Sequence, residues 1–323
     1  MKLFSHLKQG LAIVKWLLFA ALSRIIAMLL RYCGQAKLAK ASFTLMKSMP
    51  VALFGSQYRL AKQNLSLLPY SAHQRHLLAI RYVIIQQIRV SMKIAYSWMS
   101  TEERLKRLKY LTVHDDNQVA ESYGLKSTVA VMFHSGDYWM NIIFLMRQLK
   151  EPADLVFIRG NHEDRHEEAT LRSLENFGHR VHIFEAFEHS ATVRLYKSLK
   201  QGHRAIVFAD LPPDLAGKKY GVPRQRMLFG KPAYFVQGVT LLAAKAGRDL
   251  LVLSSRLDDD FNNHLHVMSR VPAADEESMF NAVNDELVGF LTDYADSWYF
   301  LPYMETYFHH KRLVSRNRSG QIN

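Results

Sequence analysis

The chain has 323 residues, 49% of them hydrophobic, with 42 Lys and Arg against 29 Asp and Glu and a single cysteine. That balance excludes an unstructured tail, a disulfide-framed secreted module and a thiolate metal cluster. The formal charge of +13 is segregated: residues 1–112 carry 18 Lys and Arg against 2 Asp and Glu, a net of +16, and residues 113–323 carry 24 against 27, a net of −3. A basic arm on a nearly neutral body selects a polyanionic partner. The arm's hydrophobicity favours an anionic lipid surface, and no zinc-finger, basic-zipper or aromatic RNA-binding motif argues for nucleic acid.

The first predicted element is Leu11 to Leu30, LAIVKWLLFAALSRIIAMLL, long enough at about 1.5 Å per residue to cross a hydrocarbon core of about 30 Å. Lys15 and Arg24 lie toward its two ends and leave only Trp16 to Ser23 free of charge, so a tilted anchor and a helix lying in the membrane interface both fit. Arg24 interrupts the apolar run that a secretory signal needs, so the segment is expected to stay in the mature protein. Cys33, beside it, reads as an inert thiol. Arg31, Lys37, Lys40, Lys47, Arg59 and Lys62 continue the charge, and Arg75, Arg81, Arg89 and Lys93 recur among apolar residues at helical spacing. Amphipathic basic helices follow, turned toward anionic lipid or simply solvated. The expected division is an anchor over 1–32, a basic helical region over 33–112 and an α/β domain over 113–323.

A short charged helix predicted over Thr101 to Lys109 precedes that domain. Apolar, β-branched runs then occur at Ser127 to Phe133, Asp154 to Arg159, Arg180 to Phe187, Arg204 to Asp210, Asp249 to Arg256 and His264 to Val271. Helical patterns at Tyr138 to Leu149, His166 to Phe177, Ala191 to Lys200, Ala233 to Ala246 and Glu276 to Trp298 lie among them. The alternation predicts an α/β fold with a mixed, largely parallel sheet covered on both faces by helices. Leu211 to Gly230, dense in Pro, Gly, Lys and Arg, is the one long predicted loop.

The sharpest local feature is VAVMFHSGDYW, where an apolar strand ends at Phe133 and His134, Ser135, Gly136 and Asp137 precede a helix. Strand ends are where α/β sheets place ligands. A neutral imidazole there can take a proton from an attacking hydroxyl, and a neighbouring carboxylate can hold its tautomer. Asp137 suits that role, and suits equally the N-cap of the following helix. A second pattern, His162-Glu163-Asp164-Arg165-His166, has the spacing of a zinc hydrolase helix, with Glu185 or Glu188 as further ligands, or else is a solvated first turn whose acids complement the helix N-terminus. No phosphate-binding Gly-Lys loop, dinucleotide fingerprint or Gly-x-Ser-x-Gly elbow is present.

Several segments, in order, resemble the bacterial lipid A biosynthesis acyltransferases of the lysophospholipid acyltransferase superfamily. They are the strand ending at His134, VFIRGN with Arg159, AIVFAD with Asp210, MLFGKPAYFVQGVTLLAAKAG from Met227 to Gly247, and WYFLPYMETYFHHKR from Trp298 to Arg312. The family motif has Asp or Glu at the fifth position after its His, where this chain has Trp139. Asp137 is therefore the expected partner of His134, with a distant acid or lost turnover as alternatives. The resemblance implies transfer of a fatty acyl group from an acyl carrier protein or CoA thioester to a hydroxyl or amine of a lipid A-like glycolipid or related acceptor. The setting it implies is the cytoplasmic face of the bacterial inner membrane, with anionic lipid as a partner and neither metal nor cofactor. His134 is expected as general base, with an oxyanion site on amides after Gly136, a residue kept small to admit the thioester. Arg159, Arg224, Arg226 and Lys231 are expected on substrate phosphates, and Asp210 on acceptor hydroxyls or as a loop cap.

Overall fold

The computed structural model describes residues 20–31, 34–50, 54–125, 128–160, 164–186, 188, 190–215, 218–219 and 223–308. A helical layer comes first: α1 (20–31), α2 (Gln35–Lys47), α3 (Ser56–Asn64), α4 (Ala72–Trp98) and α5 (Thr101–Arg107). The sequence sets the starts of the last two through Ser-x-x-Gln and Ser-x-x-Glu boxes. Ser71 and Ser100 accept from the amides of Gln74 and Glu103, whose side chains accept from the serine amides in return.

The sheet has seven strands in the order β1, β11, β10, β2, β5, β3, β4, namely Leu111–His114, Asn263–Val271, Leu250–Leu257, Val129–Met132, Arg204–Phe208, Asp154–Arg159 and Arg180–Glu185. From β10 to β4 all neighbours are parallel; β11 runs antiparallel to β10, and β1 parallel to β11. Every residue of β2 is buried, as a central parallel strand covered on both faces requires. Between these strands lie α6 (Glu121–Leu125), α7 (Tyr138–Gln148), α8 (Arg165–Arg172), α9 (Ala191–Lys200) and α10 (Gly238–Ala246), and after the last of them come α11 (Glu276–Tyr294) and α12 (Glu305–Phe308). The expected α/β architecture with a mostly parallel mixed sheet is present. One apolar core runs from Ala27 in α1 to Tyr307 in α12.

Three expectations need correction. The helix read from Ala233 begins only at Gly238, because Lys231–Val236 pairs as β9 with β8 (Pro223–Leu228). Ala233 and Phe235 point inward and alternate with less buried Lys231, Pro232, Tyr234 and Val236, a period of two. The long loop over 211–230 accordingly holds β8 and a short pair, β6 (Asp214–Leu215) with β7 (Lys218–Lys219). Finally, the basic helix α4 turns part of its charge inward. Arg81 is buried, donating to Asp296 at 2.8 Å and to the Leu257 carbonyl at 3.0 Å, and buried Arg89 lies 3.8 Å from the Tyr299 ring centroid.

Residues 11–19 of the apolar segment lie outside the described residues. In α1 the inner face is Ser23, Ala27 and Leu30, while Leu22, Ile25, Met28 and Leu29 are exposed. Gln87 donates to Ser23 at 3.1 Å, and Arg107 to the Leu30 carbonyl at 3.1 Å. Among the described residues no helix is long and apolar enough to cross a membrane.

Candidate active site

β2 and β5 are adjacent and parallel, so the residues that follow their carboxyl ends emerge side by side. His134 follows the first and Asp210 the second. The Asp210 carboxylate, fully buried, meets the imidazole Nδ1 of His134 at 2.7 Å through Oδ1. Its Oδ2 accepts from the His134 amide at 2.7 Å and the Trp298 indole at 2.9 Å, and its backbone carbonyl accepts from the Tyr307 hydroxyl. With Nδ1 held by a carboxylate, Nε2 is the nitrogen left for proton transfer. Phe208 stacks on the imidazole at 4.0 Å between centroids and Phe300 meets it edge-on at 5.2 Å, which fixes the ring plane.

The turn behind His134 explains its neighbours. Gly136 has φ +49°, and a Cβ there would stand 2.9 Å from the Ser255 carbonyl atoms of β10. The glycine is thus demanded by a left-handed turn and by close approach to a strand, rather than by room for a thioester. Its amide donates to the Ser297 carbonyl at 3.0 Å. Ser135 is tied to Ser254 at 2.8 Å, and its carbonyl accepts from the Ser255 hydroxyl at 2.6 Å. After this reversal Asp137 points into the core, where it accepts from the Tyr96 hydroxyl at 2.9 Å. Burial pushes its carboxyl pKa up. It stands at the N-cap of α7 without a side-chain capping bond. Asp137 is therefore not the acid on His134; Asp210 is.

A cavity of about 220 Å³ opens beside His134. Ile158, Ala191, Leu195, Val207, Val239 and Leu242 give it an apolar lining, and Arg159 and Glu167 join His134 as its charged or titratable groups. Arg159 is buried, bonded to Glu185 at 2.6 Å and paired with Glu168 at 3.1 Å. Its charge is already engaged by two carboxylates, which weakens the phosphate role expected of it. The other three expected cations lie elsewhere, on the β8–β9 hairpin. Arg224 pairs with Glu276 of α11 at 3.1 Å, Arg226 pairs with Asp285, and Lys231 is exposed at the start of β9. None of the three lines the cavity. Glu185, named above as a zinc ligand, serves Arg159. His162 and Glu163 lie outside the described residues, and His166 contacts the Ser97 hydroxyl at 3.1 Å. Among the described residues no cluster of three or more His, Cys, Asp or Glu is arranged to hold a metal.

The sequence reading missed the pairing of His134 with Asp210, although both were marked at strand ends, because 76 positions separate them. It also missed Glu167, whose only local signal is its charge in the first turn of α8. No protein-family model matches the chain, and no curated protein matches it.

Proposed function

We propose that the protein is a membrane-associated acyltransferase, moving a fatty acyl group from an acyl carrier protein or CoA thioester to a hydroxyl or amine of a lipid A-like glycolipid or related acceptor. The observation that carries this reading is an Asp210-held imidazole at the edge of an apolar cavity. Asp210 holds the proton on Nδ1, so Nε2 of His134 accepts the acceptor's proton as its oxygen or nitrogen attacks the thioester carbonyl. General-base assistance of this kind contributes about 100-fold to 10,000-fold. The imidazolium then protonates the departing thiolate, and Asp210 stabilises the charge in between. The apolar lining suits a fatty chain, which leaves water for a dry slot at a gain of about 0.8 kcal/mol per methylene. The exposed Leu22, Ile25, Met28 and Leu29 on α1, with the net +16 of residues 1–112, support attachment to the anionic cytoplasmic face of the inner membrane.

The test is mass spectrometry of detergent-solubilised wild type and His134→Ala, incubated with mixed acyl thioesters and a membrane lipid extract. Thiol release with a new acylated product, lost in the variant, is the expected result. Thioester left intact by wild type with acceptor present would instead mark a protein that binds acyl groups without transferring them.

A further inference from the structure

Among the described residues Glu167 is the one cavity-lining acid, and the dyad described above leaves it unused. It sits on the first turn of α8, opposite the strand-end residues, and faces the same cavity as His134. Among the described residues its carboxylate makes no hydrogen bond and no ion pair, unlike its neighbours Glu168 and Asp164, which bind Arg159 and Lys93. A carboxylate partly shielded from water and left without a partner is poised to accept a cation. Burial raises its pKa, partly opposed by Lys93, His134 and Arg159 nearby. Arg159, the cation beside it in the lining, is already paired with Glu168 and Glu185, so among the described residues Glu167 is the charge left facing the cavity without a partner, which disfavours a phosphate there and favours a cation.

We infer that Glu167 is the acceptor-recognition residue and that the acceptor group it selects is a primary amine, entering as an ammonium ion and leaving as an amide. This rests on the acyl-transfer reading. The ammonium pairs with Glu167 and loses one proton to solvent. The free amine attacks the thioester carbonyl, forming the C–N bond, while His134 Nε2 takes the second nitrogen proton. The C–S bond breaks as the tetrahedral intermediate collapses, and the thiolate receives that proton from His134. The products are an amide, a thiol and one released proton.

The experiment compares octylamine with octanol as acceptors for palmitoyl-CoA, following thiol release by wild type and Glu167→Gln. Amines are the better nucleophiles in any case, so the deciding quantity is the amine-to-alcohol ratio of kcat/KM. It is expected to fall at least tenfold in the variant. An equal loss toward both acceptors, or a wild-type preference for octanol, would overturn the assignment. Calorimetric titration of each protein with octylammonium separates this from the acyl-transfer reading. If wild type consumes no thioester, acyl transfer itself fails, and the amine site is still judged by binding: at least tenfold weaker binding in Glu167→Gln supports it, and equal binding overturns it.

Discussion

Two of the histidine sites on this sheet differ in what surrounds the rings. At the carboxyl ends of β2 and β5 a single imidazole has a carboxylate on one nitrogen and an apolar cavity of about 220 Å³ beside it. At the β1–β11 edge three imidazoles crowd together. His114 stacks on His266 at 4.5 Å and on His264 at 5.1 Å, and bonds to His264 at 2.8 Å, next to a larger, polar cavity of about 350 Å³ lined by Asp115, Asp116, Glu286 and Asp293. Yet here the rings satisfy one another and their neighbours: His264 contacts Asp258 at 3.1 Å and Arg256 donates to His266 at 3.1 Å. Neither the number of histidines nor the volume beside them separates the two sites. What does is that His264 has both ring nitrogens engaged, by His114 and Asp258, whereas His134 has its carboxylate on Nδ1 and an apolar cavity beside the ring.

The largest expected break of this contrast is Asp210→Asn. It keeps the shape of the dyad but releases the tautomer, so turnover should fall about 1,000-fold to 10,000-fold in a thiol-release assay; a loss below tenfold would show that the imidazole acts without its acid. Next comes Gly136→Ala. A left-handed φ and a Cβ pressed on the Ser255 backbone should lower stability by about 2–3 kcal/mol in urea unfolding, and an unchanged midpoint would show that the turn behind His134 relaxes freely.

The stack at the other edge should appear in stability and not in turnover. Burial first, then His114, Arg256 and His264, depress the pKa of His266 to about 4. Its folded form therefore resists protonation: the contribution is complete above the unfolded value of about 6.5 and is lost as pH falls from there through about 4. The partly exposed ring limits the loss to about 1 kcal/mol after solvent screening. Replacing His266 with Asn should flatten that acid limb, and a pH profile identical to wild type would show that the stack tolerates the extra charge. The smallest effect belongs to Asp137→Asn. Tyr96 can still donate to the amide oxygen, so kcat should stay within about threefold; a drop beyond tenfold would return Asp137 to the chemistry.

How much of this was legible follows from the range over which each signal acts. The β3 and α9 boundaries agree with the sequence pattern to the residue, because apolar periodicity and flanking turns are local. His134 stood out for the same reason, at the end of an apolar run. Asp210 was visible as another strand end, but that β5 lies directly beside β2 is a property of sheet order, with base and acid 76 positions apart. Proximity in sequence favoured Asp137, and one left-handed glycine turned that residue into the core. Pro232 and Ala233 beside it disguised β9 as a helix start. The arginines of α4 read as a surface stripe because their partners, Asp296 and the Tyr299 ring, lie more than 200 positions away.

The indole of Trp298 and the phenol of Tyr307 hold Asp210 from the far end of the described chain. Proteins are synthesised from the amino terminus at about 5–20 residues per second, so base and acid both leave the ribosome well before the two groups that clamp them. A nascent or prematurely released chain lacking residues 298–307 possesses the dyad in composition without its geometry. The geometry of the His134–Asp210 pair thereby waits on a segment made about 90 residues after its acid.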